Sequence, residues 1–321
     1  MKRTILTNIS EVVTPEGKKA LHGKDMGNIK RLKDAAIVIE EGKILAVGTK
    51  DAIVKEYAKE DTALRDMGGS CILPGFVDSH THFIFGGYRP EEFMMRVSGA
   101  SYLEIHKAGG GIWNTVQATR SMSLDEMVQT GKERLADMLS MGVTTAEGKS
   151  GYGLDRECEL RQLKALEILK KEQPVSIVST FLGAHSIPEE YKGKSDEYID
   201  FLIEEMLPAV KEKNLAEYVD IFCENSVFNC EQSRRYLLQA KKMGFGVKIH
   251  ADEIEALGGS GVAAEVGAAS ADHLLMIRKT DCEKLAALDT VATLLPATAF
   301  CLCKPYAPAR ELIDRGCAVA L

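Results

Sequence analysis

Three things are scarce in this chain of 321 residues: paired cysteine ligands, surplus positive charge and long apolar runs. Eight cysteines, at 71, 158, 223, 230, 282, 301, 303 and 317, include no Cys-x-x-Cys pair. They therefore read as reduced core residues of a cytosolic protein rather than as metal ligands. Cys301 and Cys303, one residue apart, are assigned to packing. Lys and Arg number 40 against 47 Asp and Glu, giving a formal charge of -7 and a pI near 5.6. Such a balance offers a polyanion no electrostatic footprint, which argues against nucleic acid as a partner. Met1-Lys2-Arg3 leads into an apolar stretch that stops at Thr7-Asn8, too short for a secretory signal, and no later run reaches the length of a membrane span. A cytoplasmic protein with no membrane partner is expected.

What is present is the material of a globular chain: 45% hydrophobic and 27% charged residues, enough for a substantial core. Residues 1–70 carry short β-type runs, and Ala35–Glu40 and Lys43–Val47 flank Glu41-Gly42, which predicts a hairpin. From Ile72 onward apolar strands alternate with amphipathic helices, the pattern of a parallel sheet built from β-α units. Strands are expected at Ile72–His82, Val143–Lys149, Val175–His185, Tyr218–Glu224, Gly246–His250, Ala269–Leu274, Val291–Pro296 and Cys317–Leu321. Between them, Leu124–Met141, Asp155–Lys171, Ser195–Asn214 and Cys230–Met243 read as helices. Eight strands over roughly 250 residues predict an α/β fold of the (β/α)8 barrel type across residues 71–321, after the β-segment at 1–70. A doubly wound open sheet would need a glycine fingerprint after its first strand, where this chain has Asp78-Ser79-His80-Thr81-His82. The isolated Gly109-Gly110-Gly111 run is read as a loop near the barrel mouth rather than a phosphate cradle.

Of seven histidines (22, 80, 82, 106, 185, 250 and 273), five fall at the C-terminal ends of expected strands. In a barrel those ends form the catalytic face. His80 and His82, two apart on an extended segment, project to one side and can share a small cation; imidazoles inside a packed sheet need a partner of that kind. His250 supplies a third ligand, and Glu253, three residues on, is either a base beside the attacking water or a solvated loop carboxylate. His273 could polarise a carbonyl or hold an oxyanion, and it and His185 could equally cap their strand ends by backbone hydrogen bonds. His22 and His106 are read as surface residues.

Leu73-Pro74-Gly75-Phe76-Val77-Asp78-Ser79-His80-Thr81-His82 resembles the first-strand motif of the amidohydrolase superfamily. Phe85-Gly86-Gly87-Tyr88-Arg89, Ala108-Gly109-Gly110-Gly111-Ile112, Lys149-Ser150-Gly151-Tyr152-Gly153-Leu154 and His250-Ala251-Asp252-Glu253 together resemble the imidazolonepropionase branch, almost end to end along the barrel. The resemblance implies a hydrolase that opens the lactam ring of 4-imidazolone-5-propanoate to N-formimidoyl-L-glutamate in histidine breakdown. It implies one zinc or iron ion on His80, His82 and His250, with Glu253 and His273 beside an attacking water that the ion activates. Arg89, Tyr152 and His185 would hold a substrate bearing a carboxylate, with Tyr102 a further contributor. Lys149 is expected to be a salt-bridged lysine and not a carboxylated metal bridge. A homodimer is an assembly the resemblance allows. The other readings are a second amidohydrolase type, such as a purine or pyrimidine aminohydrolase, and a catalytically silent metal-binding barrel.

In one respect the chain departs from that pattern. The family carries a metal-binding, proton-accepting aspartate just beyond the eighth strand, followed by a last helix and C-terminal strands that complete a β-sandwich with the first seventy or so residues. The sequence stops at Leu321, inside that strand, so a shortened version of a longer protein is the expectation.

Overall fold

Glu41 and Gly42 both adopt positive φ, 51° and 76°, the turn that matches the twist of paired strands. They join β2 (Ile29–Glu40) to β3 (Lys43–Thr49) as the expected antiparallel hairpin. The computed structural model describes residues 3–100, 104 and 110–321, and its internal contacts separate two units. In the first, Met1–Lys19 with Asp25–Gly75, β1 (Arg3–Pro15) pairs antiparallel with β2 and parallel with β4 (Ala63–Ile72), giving the order β3-β2-β1-β4. Ala36 and Val38 pack with Ile5 and Ile53 on one face of this sheet, while Ala35 and Ile37 pack with Ile9 and Val12 on the other. Strand alternation explains the division along β2, and the register shifts flanking Ile9 move Ile9 and Val12 to the face opposite Ile5 on β1. One four-stranded sheet is what the described residues of this unit form.

The second unit, Ala20–Lys24 with Phe76–Leu321, holds an eight-stranded sheet. Its members are β5 (Phe76–Asp78), β6 (Val143–Lys149), β7 (Ser176–Ala184), β8 (Tyr218–Cys223), β9 (Gly246–Ala251), β10 (Ser270–His273), β11 (Val291–Thr293) and β12 (Ala318–Ala320). They pair in chain order and all in parallel. Helices occupy the connections, as β-α units require. Leu163, Leu166 and Leu169 of the helix Arg156–Glu172 are fully buried in the core that covers one face of the sheet. No described helix is long and apolar enough to cross a membrane.

Several boundaries differ from the sequence reading. Ile72 ends β4, where it pairs with Val12, and belongs to the first sheet; Pro74 lacks the N–H a ladder needs, and β5 begins only at Phe76. His80 and His82 consequently lie past β5, on a segment tied to β6 by the Lys149 amide donating to the Thr81 carbonyl at 3.1 Å. The expected helix Ser195–Asn214 divides into Ser195–Phe201, a wider π-type turn Leu202–Met206, and Leu207–Glu212. Pro208 accounts for the wide turn: it has no N–H to donate, and its ring crowds the preceding carbonyls. His22 is half-buried, with Nδ1 3.3 Å from the Gly316 carbonyl, rather than free on the surface. The cysteines do not all belong to the core: Cys158, Cys223, Cys282 and Cys317 are buried and Cys230 partly so, but Cys71, Cys301 and Cys303 are exposed.

Two substitutions gauge these elements. Leu166→Ala removes a fully buried side chain and is expected to cost about 2–5 kcal/mol. Ser123→Ala removes the capping box that starts the helix Leu124–Ser140 and is expected to cost about 1 kcal/mol. Urea unfolding should separate the two.

Candidate metal centre and active site

Five imidazoles from three strand ends and the segment after β5 meet in one place. The ring centroids of His80 and His250 are 4.5 Å apart, those of His82 and His185 4.8 Å, and those of His250 and His273 5.1 Å. One ring nitrogen from each of His80, His82 and His250 lies within 4.8 Å of the other two. Nε2 of His82 stands 3.3 Å from Nε2 of His250.

Beneath the rings is a layer of buried charge. Glu147 and Lys149 alternate on β6, Asp220 lies on β8, Lys248 precedes His250 by two on β9, and Asp272 precedes His273 on β10; all five are nearly or wholly excluded from water. Lys149 Nζ bonds Asp220 and lies 3.3 Å from Glu147 and 3.5 Å from Asp272. Lys248 Nζ bonds Glu147 at 2.7 Å and the Ser79 carbonyl at 2.7 Å. Burial opposes the charge on Lys149, but Asp220, Glu147 and Asp272 outweigh it and push its pKa up. The expected salt-bridged lysine is therefore what the structure shows. Three carboxylates against two ammonium groups leave one negative charge in this layer.

The layer also aims the rings. Asp272 Oδ2 sits 2.6 Å from Nδ1 of His80. Asp220 Oδ2 sits 3.0 Å from Nδ1 of His250, a close contact out of line for a hydrogen bond. Burial, reinforced by Lys149 and neighbouring imidazoles, depresses His80, His82 and His250 well below the usual histidine range. Burial likewise takes His185 and His273 down to about 4. Near pH 7 all five rings are neutral, the state in which an imidazole can accept a metal.

Glu253 sits on a loop fastened at both ends. Asp252, at φ 50°, accepts the backbone N–H groups of Gly258 at 2.7 Å, Gly259 at 3.2 Å and Ser260 at 3.0 Å. Glu224 accepts the Ile254 N–H at 2.8 Å. Glu253 Oε1 is thereby held 3.5 Å from Nδ1 of His273, and burial together with Glu224 pushes its pKa up to about 7. It is not a solvated loop carboxylate. His273 itself has φ 76° and Leu274 58°, a left-handed backbone that side chains adopt only where surroundings enforce it.

Tyr152 comes from the loop after β6. The buried Glu159 carboxylate cradles that loop, accepting N–H groups of Gly151 at 3.1 Å, Gly153 at 2.9 Å and Leu154 at 2.9 Å. A Cβ on Gly153 would lie 2.7 Å from the Glu159 nitrogen, so only glycine fits there. The Tyr152 ring stands 5.6 Å from His82 and 5.2 Å from His185. His185 is oriented by Nδ1, 3.0 Å from the Gly151 carbonyl. Arg89 and Tyr152 line the same cavity of about 280 Å³. The structure thus brings His80, His82, His185, His250, His273, Glu253, Arg89 and Tyr152 together. Tyr102 and His106 lie outside the described residues. Glu147, Asp220, Lys248, Asp272, Asp252, Glu224 and Glu159 were not singled out from the sequence as site residues, although charged side chains inside apolar runs such as Val219-Asp220-Ile221 were a readable signal.

A divalent ion fits this arrangement on three counts: neutral buried imidazoles, an excess negative charge below them, and ring nitrogens at ligand spacing. Two Zn–N bonds of about 2.05 Å at a tetrahedral angle set nitrogens roughly 3.3 Å apart, the spacing found between His82 and His250. Among the described residues, buried His82 Nδ1 and Asp272 Oδ1 find no hydrogen-bond partner. A cation at the rings would offset the unpartnered Asp272 oxygen through the charge it brings. His250→Ala should reduce the zinc retained after dialysis from about one equivalent to under a tenth, and Asp220→Ala should weaken zinc affinity about 10- to 100-fold. Elemental analysis and competition with a chromogenic chelator would measure both.

Comparison with known proteins agrees with this geometry. The profile of the amidohydrolase family matches residues 71–315. An imidazolonepropionase of Clostridium tetani is 50% identical over 317 residues, covering 99% of this chain and 76% of its own. One of Bacteroides thetaiotaomicron is 50% identical over 323 residues, covering 100% and 78%. Among solved structures, a triazine hydrolase from Arthobacter aurescens aligns with a TM-score of 0.69 at 14% identity, over 99% of this chain and 71% of that one. A guanine deaminase from C. acetobutylicum with bound guanine aligns with a TM-score of 0.66 at 15% identity, over 99% and 73%. Those two show the fold; identity near one half along the whole chain shows more, and the chain belongs to the imidazolonepropionases of the amidohydrolase family.

Proposed function

We propose that this chain hydrolyses 4-imidazolone-5-propanoate to N-formimidoyl-L-glutamate. The observation that carries the substrate reading is Arg89 and Tyr152 lining one cavity, with the Tyr152 ring next to His82 and His185. Arg89 offers a planar fork to the propionate carboxylate. Tyr152 and His185 border the lactam ring, and Tyr102 is carried from the resemblance as a further contact. His80, His82 and His250 hold one divalent ion, zinc or iron, which when bound polarises the lactam carbonyl and activates water.

Glu253 takes the proton from the attacking water and delivers it to the departing ring nitrogen. A carboxyl group raised to about 7 suits both transfers. His273, kept neutral, donates from one ring nitrogen only; Nδ1 has no hydrogen-bond partner among the described residues, and the tautomer protonated at Nε2 would support the oxyanion. The same reading extends to the fold: the eight parallel strands close as a (β/α)8 barrel over residues 71–321, and residues 1–70 form part of a β-sandwich. Sequential strand order with intervening helices supports the first.

The competing reading, an aminohydrolase acting on a neutral base, gives Arg89 no carboxylate to grip. With 4-imidazolone-5-propanoate as substrate, Arg89→Ala is expected to raise KM about 10- to 100-fold, the size of a lost charge-assisted hydrogen bond. An unchanged kcat/KM would favour the competitor. Glu253→Gln should lower kcat by about 10²- to 10⁴-fold. Because Glu253 is protonated below about pH 7, the wild-type rate should fall as pH drops through that value. The acidic limb should vanish in the glutamine variant, and its persistence there would assign the base elsewhere.

A further inference from the structure

Glu92 is 6% exposed and, among the described residues, contacts Arg89, Arg96 and Gly111. Its Oε2 lies 3.2 Å from Arg89 Nη1 and 3.2 Å from Arg96 Nη2, and its Oε1 accepts the Gly111 N–H at 2.7 Å. Arg89 precedes the helix Pro90–Val97, which carries both Glu92 and Arg96; Gly111, at φ 111°, precedes the helix Ile112–Ser121. All three charged side chains border the cavity that Tyr152 also lines.

We propose that Glu92 is the positioning residue for Arg89, with Arg96 as the charge that balances it. This rests on the reading of Arg89 as the carboxylate grip. A lone buried carboxylate against Arg89 would compete with the substrate's own carboxylate. Arg89 and Arg96 together set two guanidinium groups against the one Glu92 carboxylate, so Glu92 fixes the direction of Arg89 without cancelling its attraction for an anion. The contact occupies one of the five N–H donors of Arg89. The Gly111 bond anchors Glu92 to a second helix start, which keeps the carboxylate from following Arg89 when substrate arrives.

Glu92→Gln separates the two roles. The amide oxygen can still accept from Gly111, but the amide N–H₂ must then face two guanidinium groups and repels them. With 4-imidazolone-5-propanoate, the variant is expected to raise KM roughly tenfold and leave kcat within about twofold. With the same lactam lacking the propionate chain, kcat/KM should not change. In an Arg89→Ala background the added Glu92→Gln should raise KM no further, because a residue acting through Arg89 has nothing left to act on. Should Glu92→Gln fold poorly, Glu92→Asp keeps the charge, shortens the reach and should raise KM less than the glutamine variant. An unchanged KM in Glu92→Gln or Glu92→Asp, or an effect that persists undiminished without Arg89, would overturn the proposal while leaving the grip intact. If Arg89→Ala itself left KM unchanged, the grip would fail, and this inference with it.

Discussion

Ions shut away from water must neutralise one another, and the interior of this sheet is arranged around that requirement. Glu147, Lys149, Asp220, Lys248 and Asp272 are mutually paired. Removing one partner of a buried pair leaves an uncompensated charge and typically costs about 3–5 kcal/mol. An apolar core of the same volume would be at least as stable. What the charged layer adds is position: Asp272 and Asp220 hold the rings of His80 and His250 from below. The layer's residual negative charge favours a cation at the rim.

The rest of the site follows from the same economy of buried polar groups. Asp252, Glu224 and Glu159 each collect backbone N–H groups that loops at the sheet rim would otherwise leave unpaired. In doing so they fix Glu253 and Tyr152. Glu253 is instead buried near another carboxylate, Glu224, and its pKa rises to about 7. Neighbouring carboxylates in one rim thus clamp backbone amides or carry a raised pKa according to what surrounds them.

Much of this was legible in the sequence. The eight strands follow from apolar runs bounded by turn residues, and the five clustered histidines follow from their placement at strand ends. The clamps were less visible because an aspartate or glutamate next to a strand looks the same whether it meets water or backbone amides. Asp220 and Lys248 did carry a signal, a charge between two branched apolar residues, which marks a side chain that must find its partner inside. The first strand of the parallel sheet was read too long because Ile72 and Phe76 are both apolar; Pro74, which cannot join a ladder, is what separates two sheets there. Exposure of Cys301 and Cys303 was hidden by the same ambiguity, since a cysteine's chemistry suits core and surface alike.

The central claim is that buried charge holds three neutral imidazoles on one ion. X-ray absorption at the zinc edge, on the chain loaded with one equivalent of zinc, tests it most directly. Three imidazole nitrogens at about 2.0–2.1 Å are expected in the nearest shell. A shell with one imidazole or none, or with sulfur at about 2.3 Å, would contradict the account.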